Sequence, residues 1–164
     1  MDLKNFELAP LYTFDKEWAL LTCGNKEKFN MMTISWGGLG TLWHKPTATI
    51  YIRPNRYTYE FIEKNEYFTI SFYDEEYKKE LGIIGSKSGR EIDKCSFPKL
   101  TPEFLEKGIT FKEANLTLIC KKIYFQDLDI NNIPQNEINN FYKTEPVHRM
   151  YIGEVIGIID KRNN

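Results

Sequence analysis

Short runs of β-branched and aromatic residues, each bounded by a polar turn, dominate the chain. Trp18–Cys23 (WALLTC) and Phe29–Trp36 (FNMMTISW) read as two strands, with Gly24-Asn25-Lys26-Glu27 as a hairpin connection between them. In the second run, a period of two sets Asn30, Met32, Ile34 and Trp36 on one face and Met31, Thr33 and Ser35 on the other. Thr47–Arg53 alternates in the same way, with Ile50 and Ile52 opposite Tyr51 and Arg53. Tyr67–Tyr73 shares this texture. Leu116–Leu128 and Val147–Ile159 are longer strand-rich stretches that predict a bend midway, for about six strands in all. Helical spacing is rarer. It predicts a short helix over Tyr59–Asn65 with Thr58 as N-cap, and one over Asp74–Ile84 whose buried stripe is Tyr77, Leu81 and Ile84. A turn or two of helix is expected at Pro102–Lys107 and at Pro134–Tyr142. Gly37-Gly38-Leu39-Gly40 is expected to break order, and Asn-rich Asp127–Asn140 to form a loop or surface insertion. Many short strands with few helices favour a closed or partly closed barrel over an alternating parallel sheet.

The length, 164 residues, suits a single domain spanning 1–164. The 22 basic and 23 acidic residues nearly cancel, without a long block of one sign, which argues against DNA or RNA as a partner. Cys23, Cys95 and Cys120 are widely spaced and form no CxxC pair, which argues against a disulfide framework or a thiolate metal site. The start, MDLKNFELAP, has no apolar signal core, and no run is long enough to span a bilayer. The expectation is a reduced, cytoplasmic protein without a membrane partner.

Three segments carry candidate chemistry. Arg53-Pro54-Asn55-Arg56-Tyr57-Thr58 lies where a strand gives way to a helix, and Pro54 favours a tight turn. Arg53 and Arg56 then lie beside a hydroxyl and a helix start, the parts of a phosphate site. The same turn also fits two solvated arginines and a capping threonine. Asn30–Gly38 offers polar side chains on a strand, followed by glycines that let a flat ligand approach the backbone, though a plain barrel strand explains the same letters. Gly85-Ser86-Lys87-Ser88-Gly89-Arg90-Glu91-Ile92-Asp93-Lys94 lacks the GxxxxGK[ST] order of a Walker loop and reads as a cationic loop leading into a short helix. His44 and His148 stand apart from other metal ligands, so no metal site is expected, and no nucleophilic triad is recognisable.

Taken together, NMMTISWGG, IRPNRYT, SKSGREIDKCSF and VHRMYIGEV, in this order, resemble the flavin reductase-like family of FMN-binding split barrels, which includes flavoredoxin. The resemblance runs from about Asn30 to Val155. It implies a mainly β chain with inserted helices, a split β-barrel of Greek-key type, and a homodimer with FMN at the subunit interface. It implies further that Asn30, Thr33, Ser35 and Trp36 run alongside the flavin. Arg53, Arg56, Tyr57 and Thr58 correspond to phosphate and ribityl contacts. Ser88, Arg90 and Lys94 correspond to a loop closing on the cofactor, and His148 to a position facing the nicotinamide or substrate. The implied activity is transfer of reducing equivalents from NADH or NADPH through FMN to flavin, protein or a small acceptor. The alternative is a flavoredoxin-like electron carrier without efficient NAD(P)H turnover, and behind it a barrel that has lost the cofactor and serves as a binding module.

Overall fold

The computed structural model describes residues 3–162. Nine strands form: β1 Ala19–Gly24, β2 Phe29–Ile34, β3 Gly37–Leu42, β4 Lys45–Ile52, β5 Tyr67–Phe72, β6 Pro102–Leu105, β7 Gly108–Phe111, β8 Leu116–Asp127 and β9 Arg149–Asp160. Seven of them make one antiparallel sheet in the order β2-β1-β5-β8-β9-β4-β3, and β6 pairs with β7 apart from it.

That order has a geometric consequence. β2 and β3 are consecutive in sequence yet stand at opposite ends of the sheet, joined only by Ser35 and Trp36. From Ile34 to Gly37 the chain reaches at most about 11 Å. In a flat sheet the two strands would lie about 29 Å apart, at the usual strand spacing. The sheet must therefore curl until its edges meet. β2 and β3 meet at this corner without pairing, and the result is a split β-barrel.

Curling is assisted where the bend was expected. The β8–β9 ladder slips between Ile119 and Cys120 and again between Lys122 and Tyr124, and such bulges bend long strands. Inside the barrel, Leu21, Ile34, Ile50, Ile52, Phe68, Ile70, Leu118 and Tyr151 form one buried cluster. The alternation of Ile50 and Ile52 inward is as the sequence predicts. Gly153 is required here, because a Cβ at that position would lie 2.5 Å from the Phe68 ring. A second core lies on the other face of β1 and β2. There Leu20, Phe29 and Met31 pack against Leu81 and Ile84 of the helix Lys78–Ser86 and against Ile109 and Phe111 of the small hairpin. β1 and β2 are thus covered on both faces, which holds the barrel edge rigid where the chain turns into Ser35.

Several expectations are corrected. There are nine strands among the described residues where about six were expected. Gly37–Leu42 is a strand, paired along its length with β4, so the tertiary ladder overrides the weak strand preference of glycine. Pro102–Leu105 is also a strand. Pro102 occupies its first position, where a missing N–H is tolerated. No helix follows Lys94, where turns run on to Leu100. Pro134–Tyr142 does become helical, over Gln135–Glu137 and then as a wider π-turn over Ile138–Tyr142. Among the described residues no helix is long and apolar enough to cross a membrane.

The β3–β4 hairpin closes through Trp43 and His44, with φ of 53° and 58°. Both are left-handed values that suit Asn-Gly far better than two bulky side chains. Replacing Trp43-His44 by Asn-Gly should stabilise the protein by about 0.5–1 kcal/mol in urea unfolding. Unchanged or reduced stability would show that Trp43 or His44 makes compensating contacts.

Candidate functional site

Two neighbouring concavities open along the β2 edge and share Met32 and Arg56 in their walls. The first, a cleft of about 260 Å³, is bounded by Thr33, Ser35 and Trp36 at the barrel corner, by Tyr51 and Arg53 at the end of β4, and by Phe141 and His148. The second, a recess of about 70 Å³, is lined by Asn30, Tyr57, Thr58, Ser88, Gly89 and Lys94 among others. The segments singled out in the sequence therefore converge.

The recess is built by a turn and a helix start. Pro54 sits at the second position of a turn closed by Arg56 N–H to the Arg53 carbonyl, at 3.0 Å. The helix Tyr57–Lys64 follows, with Arg56 as its N-cap. Thr58 is therefore inside the first turn and does not cap it, which corrects the sequence expectation. Its hydroxyl instead accepts from the Asn30 amide at 2.8 Å, and both residues are buried. The carboxamide oxygen of Asn30 faces Gly89, where any Cβ would approach to 2.1 Å. Asn30 and Thr58 thus position the wall, and Gly89 lets the Lys87–Lys94 turn lie against it.

Lys94 is the unusual member. It is 4 % exposed, and its Nζ donates to the carbonyls of Met31 at 3.0 Å and Ile84 at 2.8 Å. No carboxylate pairs with it among the described residues. Burial and then the nearby Arg56 guanidinium push its pKa down to about 8, partly opposed by Glu91. Arg56 itself donates to the Gly85 carbonyl at 2.7 Å. Two cations therefore converge with neutral partners only, beside the positive end of a helix. The Ser88 hydroxyl accepts from Arg90 N–H at 3.2 Å and shapes the turn. Arg90 stands outside both concavities, stacked on Tyr57 at 4.6 Å and paired with Glu60.

In the cleft, Trp36 is 40 % exposed and meets the Phe141 ring edge-on at 5.1 Å. Arg53 lines this cleft and not the recess. It donates to the Phe141 carbonyl at 2.9 Å and pairs with Glu145 at 3.2 Å, clasping the Leu128–His148 insertion. His148 is 9 % exposed, with Nδ1 2.9 Å from the Tyr142 hydroxyl. Burial, reinforced by Arg53, lowers its pKa to about 4, so the ring is neutral at physiological pH. Phe141 and Tyr142 were missed from sequence. The one signal was two adjacent aromatics ending an otherwise polar Asn-rich stretch.

A larger concavity, of about 850 Å³, lies between the N-terminal arm and residues 72–78. Its charges are of both signs, Glu7, Glu17, Asp74 and Glu75 against Lys16, Lys78 and Arg162, so they largely offset one another and gather no excess of cations for an anionic ligand. The smaller pair, with an uncompensated buried cation and an aromatic wall, is the better candidate.

Comparison with known proteins gives a family and a fold. The family model described as the flavin reductase like domain matches residues 11–164. Comparison with curated proteins finds no match. Among solved structures, a flavoredoxin from Methanosarcina acetivorans superimposes with a TM-score of 0.71 at 20% identity, covering 99% of this chain and 75% of that one. An FMN-binding protein from Thermus thermophilus gives 0.71 at 19% identity, covering 98% and 80%. The flavin reductase of the styrene monooxygenase of Pseudomonas putida S12 gives 0.64 at 17% identity, covering 89% and 80%. At these identities the structural likeness concerns the fold.

Two outcomes follow from the site's packing. His148 titrates near 4 when folded, against about 6.5 in the unfolded chain. Between those values the unfolded state takes up the proton, so stability falls as pH drops through this window and is unaffected above it. Wild type should lose about 2 kcal/mol more than His148→Phe between pH 7 and pH 5. Parallel losses would show that His148 is not desolvated. Gly89→Ala should cost about 1–3 kcal/mol and speed amide exchange over Lys87–Lys94. An unaltered exchange pattern would mean that the turn does not rest on Asn30.

Proposed function

This chain belongs to the flavin reductase-like family, and from that premise we propose that it binds FMN non-covalently and works as an FMN-dependent oxidoreductase. NADH or NADPH is the proposed donor, and flavin, protein or a small molecule the acceptor. The observation that carries the proposal is Lys94, a buried cation with no counter-ion beside a second cation, Arg56. Such a charge is costly unless a ligand anion completes it. The FMN phosphate is dianionic and meets that need, with Lys94, Arg56 and Ser88 as its proposed holders. The proposed place for the flavin ring is the other half of the trough, where Met32, Ile34 and Trp36 give an apolar wall and Ser35 adds a hydroxyl, while the Thr33 hydroxyl is already donated to the Leu81 carbonyl.

Within this reading the residues position and shield. The buried Asn30–Thr58 bond fixes the recess wall, and Gly89 brings the Lys87–Lys94 turn close enough to cover the phosphate. Phe141 and Trp36 would shield one side of the cleft. Bound FMN would supply the hydride and electron chemistry itself, so no acid–base dyad is required of the protein. A homodimer with the cofactor at the subunit interface completes the proposal, and the half-open faces of Trp36 and Phe141 support it. Light scattering reads its mass.

The second reading is an electron carrier, supported by the fold shared with flavoredoxin. Anaerobic mixing with NADH and NADPH separates the two. Ready bleaching of bound FMN identifies the enzyme, and FMN that stays oxidised identifies the carrier. For the site itself, Arg56→Ala should weaken FMN binding by about 1.5–3 kcal/mol in equilibrium dialysis. An unchanged dissociation constant would remove Arg56 from the phosphate contacts.

A further inference from the structure

The segment after the helix Lys78–Ser86 leaves that helix and returns to it. Lys87 N–H donates to the Ile83 carbonyl at 3.1 Å, Lys94 Nζ to the Ile84 carbonyl at 2.8 Å, and Lys99 Nζ to Glu80 Oε1 at 2.5 Å. Beyond Lys99, Leu100 is buried in the second core. Lys94, the buried cation of the recess, therefore lies midway along a strap, Lys87–Leu100, that one helix fastens at both ends.

The far fastening is unusual on both sides. Phe97-Pro98-Lys99-Leu100 is a turn closed by Leu100 N–H to the Phe97 carbonyl at 3.3 Å, with proline second and a φ of 67° at Lys99. These are the marks of a type II turn, whose third position calls for glycine or asparagine. A lysine there carries a backbone cost that glycine avoids, so the reason for it lies in its side chain. Its partner Glu80 is 6 % exposed, and the second carboxylate oxygen, Oε2, is buried with no hydrogen-bond partner among the described residues. A carboxylate so placed is costly without a counter-ion, and among the described residues only Lys99 pairs with it. The left-handed lysine and the buried carboxylate each account for the other.

We propose that the Glu80–Lys99 ion pair latches the strap, and that Glu80 and Lys99 are positioning residues which act through Lys94 on an anion bound in the recess. Neither lines the recess itself, whereas Lys87, Ser88, Gly89 and Lys94 of the strap do. With the latch closed, Lys94 stays on the Met31 and Ile84 carbonyls at the recess wall. With it open, Ser88 and Lys94 leave together and only Arg56 of the three proposed holders stays. An anion meets all three in the closed strap alone, so it slows opening in turn. Naming that anion as the FMN phosphate rests on the functional reading above. The latch itself does not.

Hydrogen exchange on the full chain without ligand tests the latch. Lys99→Met keeps the turn and removes the charge, and Glu80→Gln keeps the shape. Each should speed amide exchange over Lys87–Leu100 about fivefold, the scale of a partly exposed ion pair, and leave β1 and β8 at wild-type rates. The double variant should match either single one. Unaltered exchange in the strap, equal acceleration throughout the sheet, or effects that add in the double variant would overturn the latch. Ligand release reads the action through Lys94. Lys99→Met should release FMN about fivefold faster and riboflavin, which lacks the phosphate, at the wild-type rate. Equal acceleration of both flavins, or of neither, would overturn the positioning role. Should neither flavin bind, the flavin reading fails and inorganic phosphate becomes the probe. It should slow strap exchange in wild type and do so less in Lys99→Met, and no slowing in wild type would overturn the action on an anion.

Discussion

The structure depends on a two-residue link. Ser35 and Trp36 must carry the chain from one end of a seven-stranded sheet to the other, and a span of at most about 11 Å permits this only if the sheet closes on itself. Closure without pairing leaves a corner where β2 ends, β3 begins and the end of β4 lies near. Thr33, Ser35, Trp36, Tyr51 and Arg53 meet there because of the topology, although they are distant in sequence. The rigid backing comes from the second core. Met31 on the outer face of β2 packs with Leu81 and Ile84, so the edge carrying the candidate site is buried on both sides.

Electrostatics then distinguish this corner from the rest of the surface. The larger cleft beside the N-terminal arm mixes charges of both signs, whereas the recess beside Tyr57 gathers Lys94 and Arg56 with only neutral acceptors. Lys94 holds its place through two main-chain carbonyls, so its position is fixed before any ligand arrives. A preset cation spends little reorganisation on binding an anion. At the other end of the trough, burial keeps His148 neutral, so the two ends offer different chemistry to one elongated ligand or to two ligands side by side.

Much of this was legible in the chain. The alternation in Phe29–Trp36 and Thr47–Arg53 gave faces that the barrel reproduces, and the Arg53-Pro54-Asn55-Arg56 turn with its following helix is present. The family resemblance brought together segments that spacing alone could not. What failed did so for tertiary reasons. Gly37–Leu42 is a strand because β4 pairs with it, and Thr58 is a wall residue because Asn30 bonds to it across the fold. Arg53 shows the same limit. Its cationic character was plain, but its partners, Glu145 and the Phe141 carbonyl, come from an insertion that reads as an unremarkable polar loop. Phe141 and Tyr142 left only a faint trace, since a pair of aromatics in such a stretch has no distinctive period.

The central claim is that the buried cation pair exists to receive a phosphate joined to a flavin. The most direct measurement compares the affinities of FMN and riboflavin, identical but for the phosphate, in wild type and in Lys94→Met. The account predicts that wild type prefers FMN by at least about tenfold, the scale of a charge-assisted hydrogen bond, and that Lys94→Met removes most of that preference while still binding riboflavin. Equal affinity of wild type for the two ligands, or an FMN preference untouched in Lys94→Met, would contradict it.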